Sequence, residues 1–233
     1  MWKTIGDQLN PRSGIYGVLS TVLFLSLACS MSMQYGHADV PIADSAESVQ
    51  PLQVGQSAPR FTVRTFDHDV FKFDPRNLQQ PVVVINFRGG WCPYCNMHLS
   101  ELKDVIAEID ALGVDVLFLS GDRPELLYKS LSRETQEDIA GLDYQIFSDA
   151  DAHAAIAFGI AFKASQKTID RRNEKDQDII DSSMLKHGVL PVPSVFAIDR
   201  HGVVAFSYSN PNYKIRLPAD ELFQVATEIA AFK

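Results

Sequence analysis

The feature that most restricts this chain is a junction. Val82-Val83-Val84-Ile85-Asn86-Phe87, opened by Pro81, is an apolar β-branched run of the kind buried on both faces of a parallel sheet. Five residues on from Phe87 comes Cys92, within Trp91-Cys92-Pro93-Tyr94-Cys95, and beyond it Leu99, Leu102, Ile106 and Ile109 recur at helical steps until Gly113. A strand that ends in Cys-x-x-Cys and passes into an amphipathic helix sets Cys92 at the helix N-terminus. Free N–H groups and the helix dipole there favour a thiolate, lowering its pKa from about 8.5 toward the range of about 3.5–7.5. Pro93 suits the first helical position, where its missing N–H would be unpaired anyway. Cys95, one turn on, faces the same way and can attack a mixed disulfide or a sulfenic acid on Cys92. The expectation is a nucleophile at Cys92 and a resolving thiol at Cys95.

The surrounding pattern is β-α-β-α. Phe61-Thr62-Val63 and Phe71-Lys72-Phe73 alternate as a small hairpin; Val114 to Leu119 repeats the strand signal, and a helix is expected from about Pro124. Gln145 to Phe147 reads as a weaker strand, Ala152 to Phe158 as a short helix, and Val195–Ile198 with Val203–Phe206 as a hairpin around His201-Gly202. A closing helix runs from about Ala219 to Ala231, and the polar span from Lys163 to Lys186 reads as a solvated insertion or a docking loop. The fold expected is α/β, with a central mixed β-sheet flanked by helices on both faces and an N-terminal β-hairpin.

Lys3 and Arg12 precede an uncharged stretch, Ser13 to Gly36, with a strongly apolar centre, which reads as a targeting segment over 1–38. Cleavage after Ala38 is the first reading, a lipoprotein signal at Leu27-Ala28-Cys29 the second, and an uncleaved membrane anchor the third. Each places the domain outside the cytosol: exported, periplasmic or extracytoplasmic, with a membrane tether under the last two. Residues 39–57, rich in Ser, Ala, Gln and Pro, read as a linker, leaving 58–233 as one domain.

Charge and cysteine count narrow the chemistry. The formal net charge of −8 gives no support to a role in binding nucleic acid through counterion release. Three cysteines, Cys29, Cys92 and Cys95, cannot build the disulfide framework of a small secreted scaffold. A Cys-x-x-Cys disulfide closes too small a loop to stabilise much. His98 completes Cys-x-x-Cys-x-x-His, a partial metal pattern, but no second cysteine pair exists for a structural zinc site. Covalent haem attachment needs His directly after the second Cys, and position 96 is Asn. No metal or cofactor is therefore expected.

From about Val54 to Ala231 the chain resembles the peroxiredoxin-like branch of the thioredoxin-fold superfamily, the alkyl hydroperoxide reductase/thiol-specific antioxidant group, in a CxxC form. Val54-Gly55-Gln56-Ser57-Ala58-Pro59, Phe87-Arg88-Gly89-Gly90-Trp91-Cys92-Pro93-Tyr94-Cys95 and Pro191-Val192-Pro193-Ser194-Val195-Phe196-Ala197-Ile198-Asp199-Arg200-His201-Gly202 carry the resemblance. It implies a thiol-dependent reductase, often of hydroperoxides, with a cis proline facing the redox cysteines, for which Pro193 is the matching residue.

The departures bear on the reaction. Gly89 and Ile85 stand where typical peroxiredoxins have the Thr and Pro of Pro-x-x-x-Thr-x-x-Cys, and Asn86 stands where thioredoxin has a buried, titratable Asp. Backbone N–H groups of Gly89 and Gly90 are the expected substitutes for the hydroxyl, with Arg88 stabilising thiolate and peroxide oxygen, and Trp91 and Tyr94 flanking the substrate. Two reactions stay open: peroxidase, with a Cys92–Cys95 disulfide re-reduced by a thioredoxin-type thiol donor, and exchange with protein disulfides. A copper-handling reading rests on His187, but copper chaperones of this fold space their cysteines by three residues, not two.

Overall fold

The computed structural model describes residues 41–142, 144–175 and 186–232, so the targeting segment over 1–38 and Cys29 lie outside the described residues. Among those described, no helix is long and apolar enough to cross a membrane. Seven strands form one sheet in the order β2-β1-β5-β4-β3-β8-β9: β1 (Phe61–Arg64), β2 (Val70–Phe73), β3 (Val82–Phe87), β4 (Asp115–Ser120), β5 (Gln145–Ser148), β8 (Ser194–Ile198) and β9 (Val204–Ser209). A separate pair joins β6 (Ala161–Lys163) to β7 (Val189–Pro191). The helices are α1 (Pro93–Glu101), α2 (Lys103–Ala111), α3 (Arg133–Asp138), α4 (His153–Ala157), α5 (Gln166–Lys175) and α6 (Ala219–Ala231).

β3 is the centre of the sheet. It runs parallel to β4, Val82 opposite Asp115, and antiparallel to β8, Val82 opposite Ile198, so the sheet is mixed. All six of its residues are buried, because alternate side chains serve two cores. Val83, Ile85 and Phe87 face a core completed by Leu99, Ile106 and Ile109 of α1 and α2 and by Leu222 and Ile229 of α6. Val82 and Val84 face the other, with Phe158, Phe196 and Ala154. Helices thus cover both faces.

Three segments differ from expectation. The helix after Cys92 is two, broken at Leu102, which stays near helical dihedrals (φ −81°, ψ −11°) and so leaves the apolar spacing undisturbed. After β4 the chain forms only a 3₁₀ turn, Pro124–Leu126, before α3. The presumed linker is not free from Ile42 onward: Ala43 N–H bonds Ala161 O (3.0 Å), Gln50 N–H bonds Gly159 O (3.1 Å), and Ile42, Ala46, Val49 and Leu52 pack on the second core. Its composition is that of a linker, but these apolar residues at three- and four-residue spacing pin it.

Asp149, after β5, is buried and accepts the N–H groups of Ala154 and Ala155, both at 2.9 Å. Burial outweighs those bonds and pushes its pKa up to about 7. The folded state therefore keeps a proton that the unfolded carboxyl releases near its ordinary value of about 3.9. The stability this contributes is complete below about pH 4 and is lost as pH rises through about 7. Urea unfolding of the wild type should show a midpoint falling between about pH 4 and 7; in Asp149→Asn, which cannot titrate, the fall should be shallower. An identical pH dependence would remove Asp149 as its source.

Candidate active site

The chain leaves β3 through Arg88, Gly89 and Gly90 and enters α1 with Cys92 as its N-cap residue. The turn is fixed from two directions. Gly90 N–H donates to Asp122 Oδ2 (2.7 Å), and Asn96 Nδ2 donates to Gly90 O (2.5 Å) and Cys92 O (3.1 Å). Asp122 is fully buried just past β4, where Ser130 Oγ (2.7 Å) and Ser120 Oγ (3.2 Å) also donate to Oδ2. Glycine is required at both turn positions. Gly89 has φ +135°, and a Cβ there would collide with the Trp91 indole nitrogen and the Asp122 carboxylate; one at Gly90 would collide with Ser130.

Cys92 and Cys95 are 2% and 1% exposed, and both belong to the core that α1, α2 and α6 build. Their environments drive their pKa values apart. The Cys95 thiol hydrogen-bonds the Cys92 sulfur, and with the Arg88 and Arg216 charges this outweighs burial and lowers Cys92 to about 6. Burial pushes the Cys95 thiol well up, and its hydrogen bond to Cys92 and the Cys92 charge add to that. At neutral pH the arrangement supplies one thiolate, on Cys92, beside one thiol.

Two guanidinium groups stand over this pair. Arg88 is buried, its Cζ 4.7 Å from the Tyr213 ring centroid and 5.1 Å from that of Trp91. Arg216 Nη2 donates to Cys95 Sγ (3.5 Å), while its Nη1 bonds the carbonyls of Tyr213 and Ile215. Tyr94 meets Tyr213 edge-on (5.7 Å between centroids), and Arg172 of α5 lies 4.0 Å from the Trp91 ring centroid. The insertion therefore reaches the redox turn.

The sequence expectations divide at this point. Cys92, Cys95, Arg88, Gly89, Trp91 and Tyr94 come together. Gly90 does not offer its N–H outward, because Asp122 takes it. Pro193 opens β8 on a trans peptide, so the implied cis bond is absent; Val192 N–H bonds Ile160 O (2.9 Å) and carries the chain straight from β7 into β8. His98 turns away from ligand chemistry: its Nε2 bonds Leu217 O (3.1 Å), and burial with the Arg216 charge lowers its pKa to about 4. His187 stands 3.7 Å from the Asp151 carboxylate. Arg216, Tyr213 and Asp122 were not foreseen. Asp122 alone left a signal, as a carboxylate directly beyond a parallel strand's C-terminal end.

The AhpC/TSA family pattern matches residues 54–207, a span that includes every one of these elements up to β9. The chain belongs to the AhpC/TSA family. Peroxiredoxin Bcp of Escherichia coli is 31% identical over 113 residues, covering 48% of this chain and 67% of that protein. The thiol-disulfide oxidoreductase ResA of Bacillus anthracis is 24% identical over 155 residues, covering 66% and 69%. Among solved structures, the peroxiredoxin-like protein from Aquifex aeolicus aligns with a TM-score of 0.57 at 20% identity, covering 77% of this chain and 89% of its own. Reduced Prx3 from Vibrio vulnificus in complex with hydrogen peroxide aligns with a TM-score of 0.56 at 17% identity, covering 75% and 99%. As a member of this family, the chain is a thiol-based oxidoreductase with a thioredoxin-like fold.

Proposed function

We propose that the protein is a thiol peroxidase. The observation that carries the reading is the splitting of the two cysteines: a buried thiolate at Cys92 under Arg88, next to a protonated Cys95 held by Arg216. The Cys92 thiolate attacks one oxygen of a hydroperoxide and the O–O bond breaks; the other oxygen leaves with a proton as water or alcohol, and Cys92 becomes a sulfenic acid. Cys95 then attacks the Cys92 sulfur and expels water, forming a Cys92–Cys95 disulfide. A thioredoxin-type dithiol restores the reduced pair. Burial of both sulfurs suits a small oxidant better than a polypeptide disulfide, and Arg88 takes over the electrostatic part that a Thr hydroxyl would share. Gly89, Trp91 and Tyr94 form the walls, and Pro193 lies at the head of the neighbouring strand.

Exchange with protein disulfides is the second reading. The similarity to ResA, which spans 66% of the chain, supports it. Under either reading, export directed by the targeting segment expected over 1–38 would call for an extracytoplasmic thiol donor.

Stopped-flow oxidation of the reduced protein by hydrogen peroxide and cumene hydroperoxide, read by tryptophan fluorescence, separates the two. Oxidation at least about 10³ faster than that of a free thiol, and absent in Cys92→Ser, is expected. A rate no greater than a free thiol's, with rapid exchange against a protein disulfide, overturns the peroxidase.

A further inference from the structure

Residues 210–216, which join β9 to α6, lie across the redox pair as a strap. The middle of the strap is exposed, Tyr213 and Ile215 included. Its own turns shape it: Asn212 N–H donates to Asn210 Oδ1 (2.9 Å), and the N–H groups of Lys214 and Ile215 donate back to Asn212 Oδ1 (3.2 Å) and Asn212 O (2.9 Å). Among the described residues, the one backbone bond from the strap to another element is Asn210 N–H to Pro193 O (3.4 Å), at its start. Side chains hold the rest down, and they do so on the redox turn: Arg216 on Cys95, Tyr213 on Arg88 and Tyr94, and Lys214 Nζ 5.7 Å from the Tyr94 ring centroid. Charge makes this closure depend on redox state. Among the described residues neither Arg88 nor Arg216 has a carboxylate partner, and the Nε of each is buried without a hydrogen-bond acceptor. The two guanidinium charges also repel one another, and the Cys92 thiolate is the anion that both face.

We propose that the strap is a redox-operated lid, which closes over the reduced pair and comes away when the Cys92–Cys95 disulfide forms. In forming the disulfide, the Cys92 thiolate and the Cys95 thiol give up two electrons and one proton to the oxidant, and neither sulfur keeps a charge. Two cations are then left together without a counter-charge, and a buried cation so stranded is strongly destabilising. Arg88 is enclosed at the end of β3, whereas Arg216 sits on the exposed strap and can turn out into water. Its departure removes the hydrogen bond to Cys95, the innermost of the contacts that hold the strap down. The lid accounts for a pair of sulfurs that must meet two different partners from a buried position. Closed, it leaves the thiolate to a small oxidant; open, it bares the disulfide to the dithiol that reduces it.

This proposal rests on the redox assignment of Cys92 and Cys95, but its test uses no peroxide. In the full chain carrying Cys29→Ser, the pair is kept open with dithiothreitol or closed with diamide, and limited trypsin cleavage is followed by mass spectrometry. Lys214 and Arg216 are cleavage sites inside the strap, while the exposed Lys72 and Arg200 report on the rest of the fold. Cleavage after Lys214 and Arg216 should be at least about tenfold faster in the disulfide form, with cleavage after Lys72 and Arg200 the same in both. In Arg216→Gln no charge is stranded, so cleavage after Lys214 should become equal in the two states. Equal cleavage of the wild-type strap in both states overturns the proposal. So does a difference that survives in Arg216→Gln, or one that extends equally to Lys72 and Arg200. A disulfide that diamide closes and hydrogen peroxide does not would count against the peroxidase alone.

Discussion

Cys95→Ser is expected to oxidise once and stop. In a Cys29→Ser background, which removes the third cysteine, the first attack of Cys92 on hydroperoxide should proceed, because a serine hydroxyl still offers a hydrogen bond to the Cys92 sulfur. The sulfenic acid then has no neighbouring thiol with which to condense. Steady-state turnover with a thioredoxin-type donor should fall by at least about a hundredfold, and dimedone should label Cys92 nearly stoichiometrically after one equivalent of peroxide. Cys95→Ala should add a second effect. It removes the hydrogen bond that does most to hold Cys92 ionised, so the first oxidation should also slow at pH 7. Wild-type turnover in Cys95→Ser would place the resolving thiol outside this chain.

Removing the two guanidinium groups should shift the pH profile rather than abolish the chemistry. With a pKa of about 6, Cys92 is ionised above that pH, so the rate of peroxide oxidation should rise through about pH 6 and level off near neutrality. In Arg88→Met/Arg216→Met the Cys95 hydrogen bond remains but both charges are gone, so the midpoint must move upward, toward the ordinary thiol value of about 8.5. The thiolate fraction at pH 7 then falls below about nine-tenths, and the rate at pH 7 falls with it, less far than if the Cys95 hydrogen bond were lost as well. Recovery of the rate at about pH 9 separates this from loss of structure. A profile that keeps its midpoint near 6 would show that the arginines do not set the ionisation of Cys92.

The fold was legible to the extent that its signals are local. β3, the Cys-x-x-Cys turn and the closing helix announce themselves through hydrophobic period and residue type, because each buries a face that its own residues define. The break at Leu102 was invisible, since the chain changes course there without leaving the helical basin and the apolar spacing runs on. The docking of residues from Ile42 to Leu52 was hidden beneath a composition typical of linkers. The site divides on the same principle: Cys92, Cys95, Arg88 and Trp91 are adjacent in sequence and were found, whereas Arg216 lies 121 residues from the sulfur it bonds. Asp122 reaches Gly90 across 32 residues, and it reverses the role that local reading gave to the Gly90 N–H.

The placement of both sulfurs inside one of the two cores makes the redox state a folding variable. Reduced and oxidised chains, folded and unfolded, form a closed thermodynamic cycle. The difference in unfolding free energy between the two forms therefore equals the shift in reduction potential from that of an unstructured Cys-x-x-Cys peptide. Hydrogen bonds to a Cys92 thiolate exist only in the reduced form, so they stabilise that form and make the folded disulfide the stronger oxidant, each 30 mV corresponding to about 1.4 kcal/mol. Two denaturation curves, one with the pair open and one with it closed, would then read the electron affinity of the site without any substrate.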